Sequence, residues 1–123
     1  MITGIIVFAH GSRVESANEA VRSVARDLVR ASACDRVVAA FLELGQPDLE
    51  TAAARLVEAG VERVVIIPYF LTLGLHMERD LPPLVERISN TYKGLLVEVT
   101  PPMDGHPALV NVLVDRYRSL SNT

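Results

Sequence analysis

Four apolar segments alternate with four amphipathic helical patterns along the chain, and this alternation restricts the fold more than any other feature. The apolar segments cover residues 4–9, 36–42, 63–70 and 95–100. Regular alternation of strands and helices is typical of βαβ units, in which the strands lie parallel. We therefore expect one α/β domain over residues 1–123, with a four-stranded parallel sheet and helices on both faces. By analogy with doubly wound folds, the expected strand order is 2-1-3-4.

The first two helices are predicted from apolar residues spaced three and four positions apart. The pattern of the first helix covers residues 17–29, and two overlapping capping boxes, which start at Ser12 and Ser16, are the alternatives for its beginning. Pro47 suits the first position of the second helix.

The last two helices are predicted in the same way. Asp80 is expected to cap the third helix, with two prolines in its first turn, so residues 71–77 should form an apolar loop. The fourth strand admits Glu98 and is therefore expected at the edge of the sheet. The fourth helix should begin at Pro107, and residues 119–123 should fray. Its packing face is expected to consist of Leu109, Val110, Leu113, Val114 and Tyr117.

Composition and charge argue against several classes of partner. The chain has 12 Lys and Arg residues against 15 Asp and Glu residues and a formal net charge of -3, so it lacks the basic surface that nucleic acids require. No apolar run approaches the ~20 residues of a membrane span, and the first residues lack the basic start of a signal peptide. We therefore expect neither nucleic acid nor a membrane as a partner. The absence of a Gly-rich dinucleotide motif and of a Walker loop argues against a nucleotide cofactor.

Cys34 is the only cysteine, which excludes an internal disulfide and a zinc site made of several thiolates. It falls near the end of the first helix and is expected to be buried, and the expected compartment is a reducing cytoplasm. Hydrophobic residues make up 50% of the sequence, a large share for a chain of 123 residues. We expect part of this apolar surface to be covered by another copy of the chain in a homo-oligomer.

The chemistry is expected at the edge where the carboxyl ends of the parallel strands meet. The first to fourth predicted strands are followed in turn by His10, Glu43, His76 and His106. Two imidazoles and a carboxylate are a usual ligand set for a divalent transition metal, with open positions left for a substrate. His10 and His76 are the favoured ligands. His10 stands in a tight turn in which Gly11 lets the backbone approach a ligand, and His76 lies in the predicted apolar loop.

The side chains at this edge also have structural interpretations. His106 stands at the predicted start of the fourth helix, where a histidine more often caps than binds a metal. Glu43 lies between two leucines and is expected in a desolvated wall, where a carboxylate needs a cation or a donor, or it caps the second helix instead. Ser12, Arg13 and Arg79 either form an anion-attracting rim with the helix N-termini or are solvated surface groups.

Several short segments carry a resemblance to a known family. They are Phe-Ala-His-Gly-Ser-Arg at 8–13, Phe-Leu-Glu-Leu at 41–44 with Pro47, a block at 67–82 that contains Pro-x-x-Leu, Gly-x-His and Asp-x-Pro, and Gly-His-Pro at 105–107. In these residues the chain resembles the short CbiX-type sirohydrochlorin chelatases, over almost its whole length. The histidine-rich tract of some relatives is absent from this sequence, so a metal-storage role is not expected.

The resemblance implies a chelatase-like (flavodoxin-like) three-layer sandwich, a homodimer, and an enzyme that inserts a divalent metal into sirohydrochlorin. Co²⁺ is the first candidate, with Fe²⁺ and Ni²⁺ as alternatives, in the biosynthesis of cobalamin or sirohaem. His10 and His76 are implied as the catalytic, metal-handling pair, and Glu43 as an assisting carboxylate. The metal is a substrate in this reaction, and no organic cofactor is implied.

The residues offer chemistry that suits this reaction. Metallation of a free-base tetrapyrrole removes two pyrrole protons and transfers a desolvated metal, so it needs neutral bases that also bind metals, and histidine does both. Ser12, Arg13 and Arg79 are expected to meet the carboxylates of the macrocycle, while an apolar wall lies against its flat face. The wall is expected to consist of Tyr69, Phe70, Leu71, Leu73, Leu75 and Met77.

Two other functions fit the same sequence. A non-catalytic carrier would bind a tetrapyrrole or a metal ion at this site and release it unchanged. The pairing of two bases with a carboxylate favours the enzyme, because one ligand suffices for carriage. A purely structural interaction domain would tolerate the replacement of His10 and His76. Imidazole and carboxylate accept cobalt, nickel, iron and zinc, so these residues leave the metal open.

Overall fold

The computed structural model describes residues 1–120, which contain four strands and four helices in strict alternation. In chain order they are β1 (Thr3–Ala9), α1 (Glu15–Ser32), β2 (Val37–Phe41), α2 (Leu49–Glu58), β3 (Arg63–Pro68), α3 (Leu75–Thr91), β4 (Leu96–Val99) and α4 (Ala108–Ser119). The alternation predicted from the sequence is confirmed. Of the predicted frayed tail, residue 119 belongs to α4, and residues 121–123 lie outside the described residues.

The four strands form one parallel sheet in the predicted order, β2-β1-β3-β4. β1 is central, and its Ile6 pairs with Val38 of β2 on one side and Ile66 of β3 on the other. β4 lies at the edge, as predicted, and its Glu98 forms an ion pair with Arg63 of β3 at 2.5 Å. Because all the strands point the same way, the loops that follow β2, β1 and β3 are neighbours at one edge of the sheet.

Two apolar clusters cover the two faces of the sheet. α2 and α3 cover one face, and α1 covers β1 and β2 on the other. Consecutive residues of β1 alternate between the clusters, which explains why this segment has no polar alternation. The α/β class and its three layers are therefore confirmed. The larger cluster contains Ile6, Phe8, Ala40, Leu49, Ala52, Ala53, Leu56, Val61, Val64, Ile66, Met77, Leu81 and Ile88. The smaller one contains Val7, Ala9, Val21, Ala25, Ala39 and Phe41.

The capping boxes predicted at Ser12 and Ser16 are both wrong. α1 begins at Glu15 after Val14, which provides no side-chain cap, and the Ser12 hydroxyl accepts from the Val14 amide at 3.0 Å. The reason lies inside the helix, because the side chain of Asn18 bonds both the N–H and the carbonyl of Ser12. The loop before α1 is thus held by a buried amide rather than by a cap.

The prediction that Pro47 opens α2 is also wrong. The helix begins at Leu49, and Asp48 caps it by accepting from the Thr51 amide at 2.8 Å. The carbonyl of Pro47 accepts instead from the amide of Phe41 at 2.9 Å, which holds Pro47 against the end of β2. Asp48, the residue after Pro47, therefore caps α2.

α3 begins at Leu75, before the cap predicted at Asp80. Met77, Leu81 and Ile88 are buried in the larger cluster, and their spacing of four and seven residues places them on one helix face. Extending the helix by more than a turn therefore buries Met77, which a cap at Asp80 would leave in a loop. Burial of a methionine side chain contributes roughly 1.5–3 kcal/mol, which favours the longer helix.

The earlier start of α3 changes the setting of two predicted features. Pro82 and Pro83 lie inside the helix instead of in its first turn, so two helical N–H donors are missing there. The segment 71–77 is not a continuous loop, because its last three residues are helical. His76 accordingly lies in the first turn of α3.

α4 does not pack through the face predicted for it. Val110, Leu113 and Tyr117 are 62%, 68% and 75% exposed, and only Leu109 and Val114 of the predicted set are half-buried. β4 has four residues and lies at the edge, so it offers little sheet for a helix to cover. A groove of about 530 Å³ lies between α4, the end of β3 and the loop after β4. The apolar stripe of α4 is left facing outward.

Cys34 lies at the edge of the sheet opposite the strand ends. It is half-buried rather than fully buried as predicted, and its Sγ donates to the carbonyl of Thr3 at 3.4 Å. Among the helices of residues 1–120, none combines the length and the hydropathy needed to cross a bilayer.

Candidate active site

His10 and Glu43 are brought side by side by the end of the parallel ladder. His10 follows β1, Glu43 follows β2, and the ladder continues one step beyond the strands, because the Glu43 amide donates to the His10 carbonyl at 3.1 Å. The imidazole Nδ1 and the carboxylate Oε1 are 4.0 Å apart, and the two side chains are 57% and 58% exposed. The pair is therefore an accessible imidazole and carboxylate at the edge predicted from the strand order.

Gly11 allows the two loops to approach this closely. It has φ of +98°, and a Cβ at this position would lie 1.6 Å from the carbonyl oxygen of Glu43. The predicted reason for this glycine was the approach of a ligand to the backbone. The structure shows that the Glu43 backbone approaches it instead, so the glycine is needed for the pairing of the two loops.

Glu43 itself is neither desolvated nor a cap, so both expectations for its surroundings are wrong. More than half of its side chain is exposed, because Leu44 beside it turns outward and is exposed as well. Asp48 supplies the cap of α2. Glu43 is thus free to accept a proton or to contact a cation.

Asn18 of α1 is a site residue that the sequence patterns did not single out. It is 1% exposed, and its amide bonds Ser12 in the loop after β1 and Leu44 in the loop after β2. A signal existed, because Asn18 precedes Val21 and Ala25 by three and seven positions and so lies on the buried face of α1. A polar residue on such a face needs buried partners, and here the partners are the two loops of the site.

Arg22, one turn further along α1, is a second tie between the helix and the loop after β2. It donates to Glu15 at 2.6 Å and to the carbonyl of Gln46 at 3.0 Å, and its guanidinium lies over the ring of Phe41. The hydrogen bond from Arg22 lowers the pKa of Glu15. α1 therefore holds this loop at two successive points.

His76 is exposed in the first turn of α3 and contacts Arg79 one turn later. Its Nδ1 lies 2.9 Å from Nη2 of Arg79, which lies 70% exposed and also pairs with Asp80 at 3.3 Å. A guanidinium can only donate, so Nδ1 accepts, and the neutral ring then carries its proton on Nε2. A metal that binds Nδ1 would have to displace Arg79. Among residues 1–120 no three His, Cys, Asp or Glu side chains form a ready ligand set, and the structure pairs His76 with Arg79 rather than with His10.

The predicted apolar wall is only partly present. Leu71 and Leu75 are exposed, Phe70 and Leu73 are half-buried against the larger cluster, and Met77 is fully buried in it. Met77 is therefore a core residue, which the earlier start of α3 explains. Tyr69, the remaining member of the predicted wall, is half-buried against the smaller cluster.

The loop that carries this wall is joined to the loop after β4. The carbonyls of Phe70 and Leu71 accept from the amides of Met103 and Asp104 at 3.1 and 2.6 Å. The exposed Leu71 thus projects from a supported backbone, which suits a surface that receives a flat apolar ligand.

The remaining predicted residues have mixed settings. Ser12 uses its amide on Asn18 and its hydroxyl on the Val14 amide, whereas Arg13 is exposed. His106 accepts through Nδ1 from the Ala108 amide at 3.0 Å, at the start of α4. This contact matches the structural interpretation of His106 as a cap.

Comparisons with known proteins agree with this architecture. A sequence model of the CbiX family matches residues 4–120. A protein of Arabidopsis thaliana named sirohydrochlorin ferrochelatase, chloroplastic, is 31% identical over 115 residues, which are 94% of this chain and 51% of the relative. A sirohydrochlorin cobaltochelatase of Sulfolobus acidocaldarius is 29% identical over 113 residues, which are 92% of this chain and 88% of the relative. The chain thus spans about half of the plant relative but most of the archaeal one.

Among solved structures, a CbiX protein of Marinobacter aquaeolei VT8 is similar over nearly its whole length. It superimposes with a TM-score of 0.82 at 28% sequence identity, and the match covers 95% of each chain. The similarity in fold therefore extends over nearly the whole chain.

Proposed function

Because the chain belongs to the CbiX family, we propose that it is a sirohydrochlorin chelatase, which inserts a divalent metal ion into this free-base tetrapyrrole. Co²⁺ is the first candidate, with Fe²⁺ and Ni²⁺ as alternatives, for cobalamin or sirohaem biosynthesis. The observation that carries the proposal is the pair of His10 and Glu43, 4.0 Å apart and exposed at the strand ends. The names of the plant and archaeal relatives supply the substrate.

The pair suits the proton balance of metallation. Two pyrrole N–H bonds break, two protons leave, and the metal forms bonds to the ring nitrogens. A neutral imidazole at His10 can first bind the incoming metal and then accept a pyrrole proton, and Glu43 stabilises the resulting imidazolium before the proton passes to water. Both protons can leave by this route because the site is open to solvent.

His76 is proposed as the second metal-handling residue. β1 and β3 are adjacent, so His10 and the segment leading to His76 start from neighbouring strands. Arg79 donates a hydrogen bond to Nδ1 of His76. A substrate carboxylate that binds Arg79 instead would leave this nitrogen available to the metal. Tetrapyrrole binding would in this way prepare His76.

The macrocycle is proposed to lie over the loop after β3. The apolar face of the ring would contact side chains that are exposed or half-buried, namely Phe70, Leu71, Leu73 and Leu75. Anionic groups are favoured near helix N-termini, and the polar residues near the helix starts are Ser12, Arg13 and Arg79. Carboxylates around the ring would meet these groups while the centre of the ring faces the metal. The metal enters as a substrate, so we propose no resident cofactor.

We propose that the chain, as one domain over residues 1–123, works as a homodimer. The exposed apolar stripe of α4 is expected to pack against another apolar surface; it consists of Val110, Leu113 and Tyr117. The plant relative is about twice as long as the part matched here. A second copy of this chain would take the place of the other half of such a longer chain. The lone Cys34 supports a reducing compartment, which we propose to be the cytoplasm.

The test is an anaerobic absorbance assay of the purified protein with sirohydrochlorin and Co²⁺, Ni²⁺ or Fe²⁺ in turn. We expect the spectrum of the metallated ring to develop faster than without protein, at a rate proportional to protein concentration. A spectrum that shifts only in stoichiometric amounts, with no turnover, would indicate the carrier instead. No change with any of the three metals would refute the proposal.

A further inference from the structure

We propose that Asn18 is a positioning residue for metal insertion, which sets the separation of His10 and Glu43 by bonding the two loops that carry them. The inference rests on the proposed function, because the pair matters for catalysis only if the pair handles metal and protons. It adds a residue on α1 that touches neither the metal nor the ring.

One amide group makes three hydrogen bonds to two loops. Its Oδ1 accepts from the Ser12 amide at 2.9 Å, and its Nδ2 donates to the carbonyls of Ser12 and Leu44, each at 2.9 Å. Ser12 is two residues after His10, and Leu44 is the residue after Glu43. The Asn18 amide therefore bridges the backbone segment that carries His10 and the backbone segment that carries Glu43.

The chemistry of these bonds requires an asparagine. The position needs an acceptor for one N–H and donors for two carbonyls on one short planar group, and a carboxylate has no donor to offer. An aspartate would set an anionic oxygen against the carbonyls of Ser12 and Leu44. An alanine would leave the Ser12 amide and the carbonyls of Ser12 and Leu44 without this partner.

The surroundings of Asn18 leave little room for adjustment. A Cβ on Gly45 would lie 2.8 Å from the ring of Phe41 and 3.1 Å from the Asn18 Nδ2. Leu44 has φ of +58°, a left-handed conformation that leucine seldom adopts. The loop after β2 is thus shaped so that the Leu44 carbonyl meets the amide.

The pair depends on this support because its side chains are not held by packing. Both are more than half exposed, and the bond that joins their backbones, from the Glu43 amide to the His10 carbonyl, is 3.1 Å long. Loss of the Asn18 bonds would let the loops separate at this last step of the ladder. A change of about 1 Å in the placement of reacting groups can reduce a rate on the order of 100-fold.

The experiment compares Asn18→Ala and Asn18→Asp with Val21→Ala, a control on the same buried face whose side chain makes no hydrogen bonds. Circular dichroism and thermal unfolding establish that each variant is folded at the assay temperature. Insertion of Co²⁺ into sirohydrochlorin is measured as kcat and KM separately. Amide hydrogen exchange of Ser12 and Glu43 is measured without metal or tetrapyrrole.

For the Asn18 variants we expect kcat to fall on the order of 10- to 100-fold with an unchanged KM for sirohydrochlorin, because supporting residues of this kind have such effects. The Ser12 and Glu43 amides should exchange faster. Val21→Ala should lower thermal stability but leave kcat and both amides as in the wild type. If Asn18→Ala fails to fold, Asn18→Ser, which retains one hydroxyl for bonding, takes its place with the same expectations.

A folded Asn18→Ala with wild-type kcat, or an equal loss of kcat in Val21→Ala, would overturn the proposal. A wild-type protein that inserts no metal would refute the chelatase assignment instead. In that case the hydrogen exchange of the Ser12 and Glu43 amides would still test whether Asn18 joins the loops. Unchanged exchange at both amides in a folded Asn18→Ala would overturn that role too.

Discussion

At the scale of single residues, the pair of His10 and Glu43 depends on Gly11. Replacement by alanine would combine a φ of +98° with a Cβ 1.6 Å from the Glu43 carbonyl oxygen, so the loops must move apart. We expect Gly11→Ala to reduce metal insertion at least about 10-fold and to cost about 1–3 kcal/mol of stability. Initial rates and urea unfolding measure the two effects.

Gly60→Ala is the matched control for Gly11→Ala. Gly60 also has a positive φ, of +90°, but a Cβ on it would meet no atom within 4 Å, and this glycine lies between α2 and β3, away from the strand ends. We expect wild-type rates for this variant. Equal losses in the two variants would show that the close approach at Gly11 has no special role.

His10 is predicted to be essential for insertion but not for folding. Its side chain is more than half exposed, so His10→Ala should abolish metallation while unfolding at the wild-type urea concentration. Anaerobic initial rates and urea unfolding measure the two effects.

His106→Ala provides the comparison for His10→Ala. His106 accepts from the Ala108 amide at the start of α4, so its loss should cost about 1 kcal/mol of stability and leave insertion largely unchanged. The assignment of the site would be wrong if His10→Ala and His76→Ala kept their rates while His106→Ala lost them.

At the scale of elements, the N-terminus of α2 carries a charged cap. The hydrogen bonds from the side chain and backbone of Thr51 lower the pKa of Asp48. We expect Asp48→Ala to cost about 1 kcal/mol in urea unfolding at neutral pH, because an amide of the first turn loses its acceptor.

The pH dependence of this cap follows from the direction of the pKa shift. Folding favours the ionised carboxylate of Asp48, so the contribution is complete above the pKa of the unfolded state and is lost as the pH falls through the lower pKa of the folded state. The difference between wild type and Asp48→Ala should therefore shrink at acid pH. Asp48→Asn, which caps without a titrating group, should not show this extra acid sensitivity, and a constant difference for Asp48→Ala would contradict the assignment of the cap.

α3 shows how packing overrides local signals within an element. Asp80 and the two prolines after it predict a helix start at that point, and the prolines do remove helical donors. Met77 nevertheless joins Leu81 in the core, and the helix extends back to Leu75. His76 is in this way fixed on a helix, with Arg79 one turn away.

At the scale of the whole molecule, the outward stripe of α4 predicts a dimer. We expect light scattering at micromolar concentration to give a particle of twice 13.4 kDa. Leu113→Glu should convert it to a monomer, because it puts a charge into an apolar interface, which typically buries about 800 Å² per partner. A monomeric wild type would contradict this prediction.

Val14→Glu is the control for Leu113→Glu. Val14 is another exposed aliphatic residue, outside α4 and just before α1, where an acidic residue is favoured. It should remain a dimer. Dissociation of both variants would indicate that α4 is not the specific interface.

The sequence by itself determined the architecture of this protein. Alternating apolar and amphipathic segments depend on neighbours within a few residues, and they predicted four strands, four helices and the α/β class. The strand order was predicted by analogy with doubly wound folds, and this order placed His10 and Glu43 at neighbouring strand ends. The edge position of β4 was equally readable, because Glu98 interrupts its apolar run. The alternation of elements and the interruption by Glu98 are local in origin, so the sequence pattern is sufficient to predict them.

Only the tertiary structure decided how the site is held and where the helices begin. Asn18 bonds a carbonyl 26 residues away, Gly11 meets the backbone of Glu43, and Met77 extends α3 by reaching the core. Such contacts join residues that are distant in the chain, and no local pattern contains their geometry. The outward face of α4 has the same cause, since a helix whose spacing predicts burial packs only where the sheet provides a surface to cover.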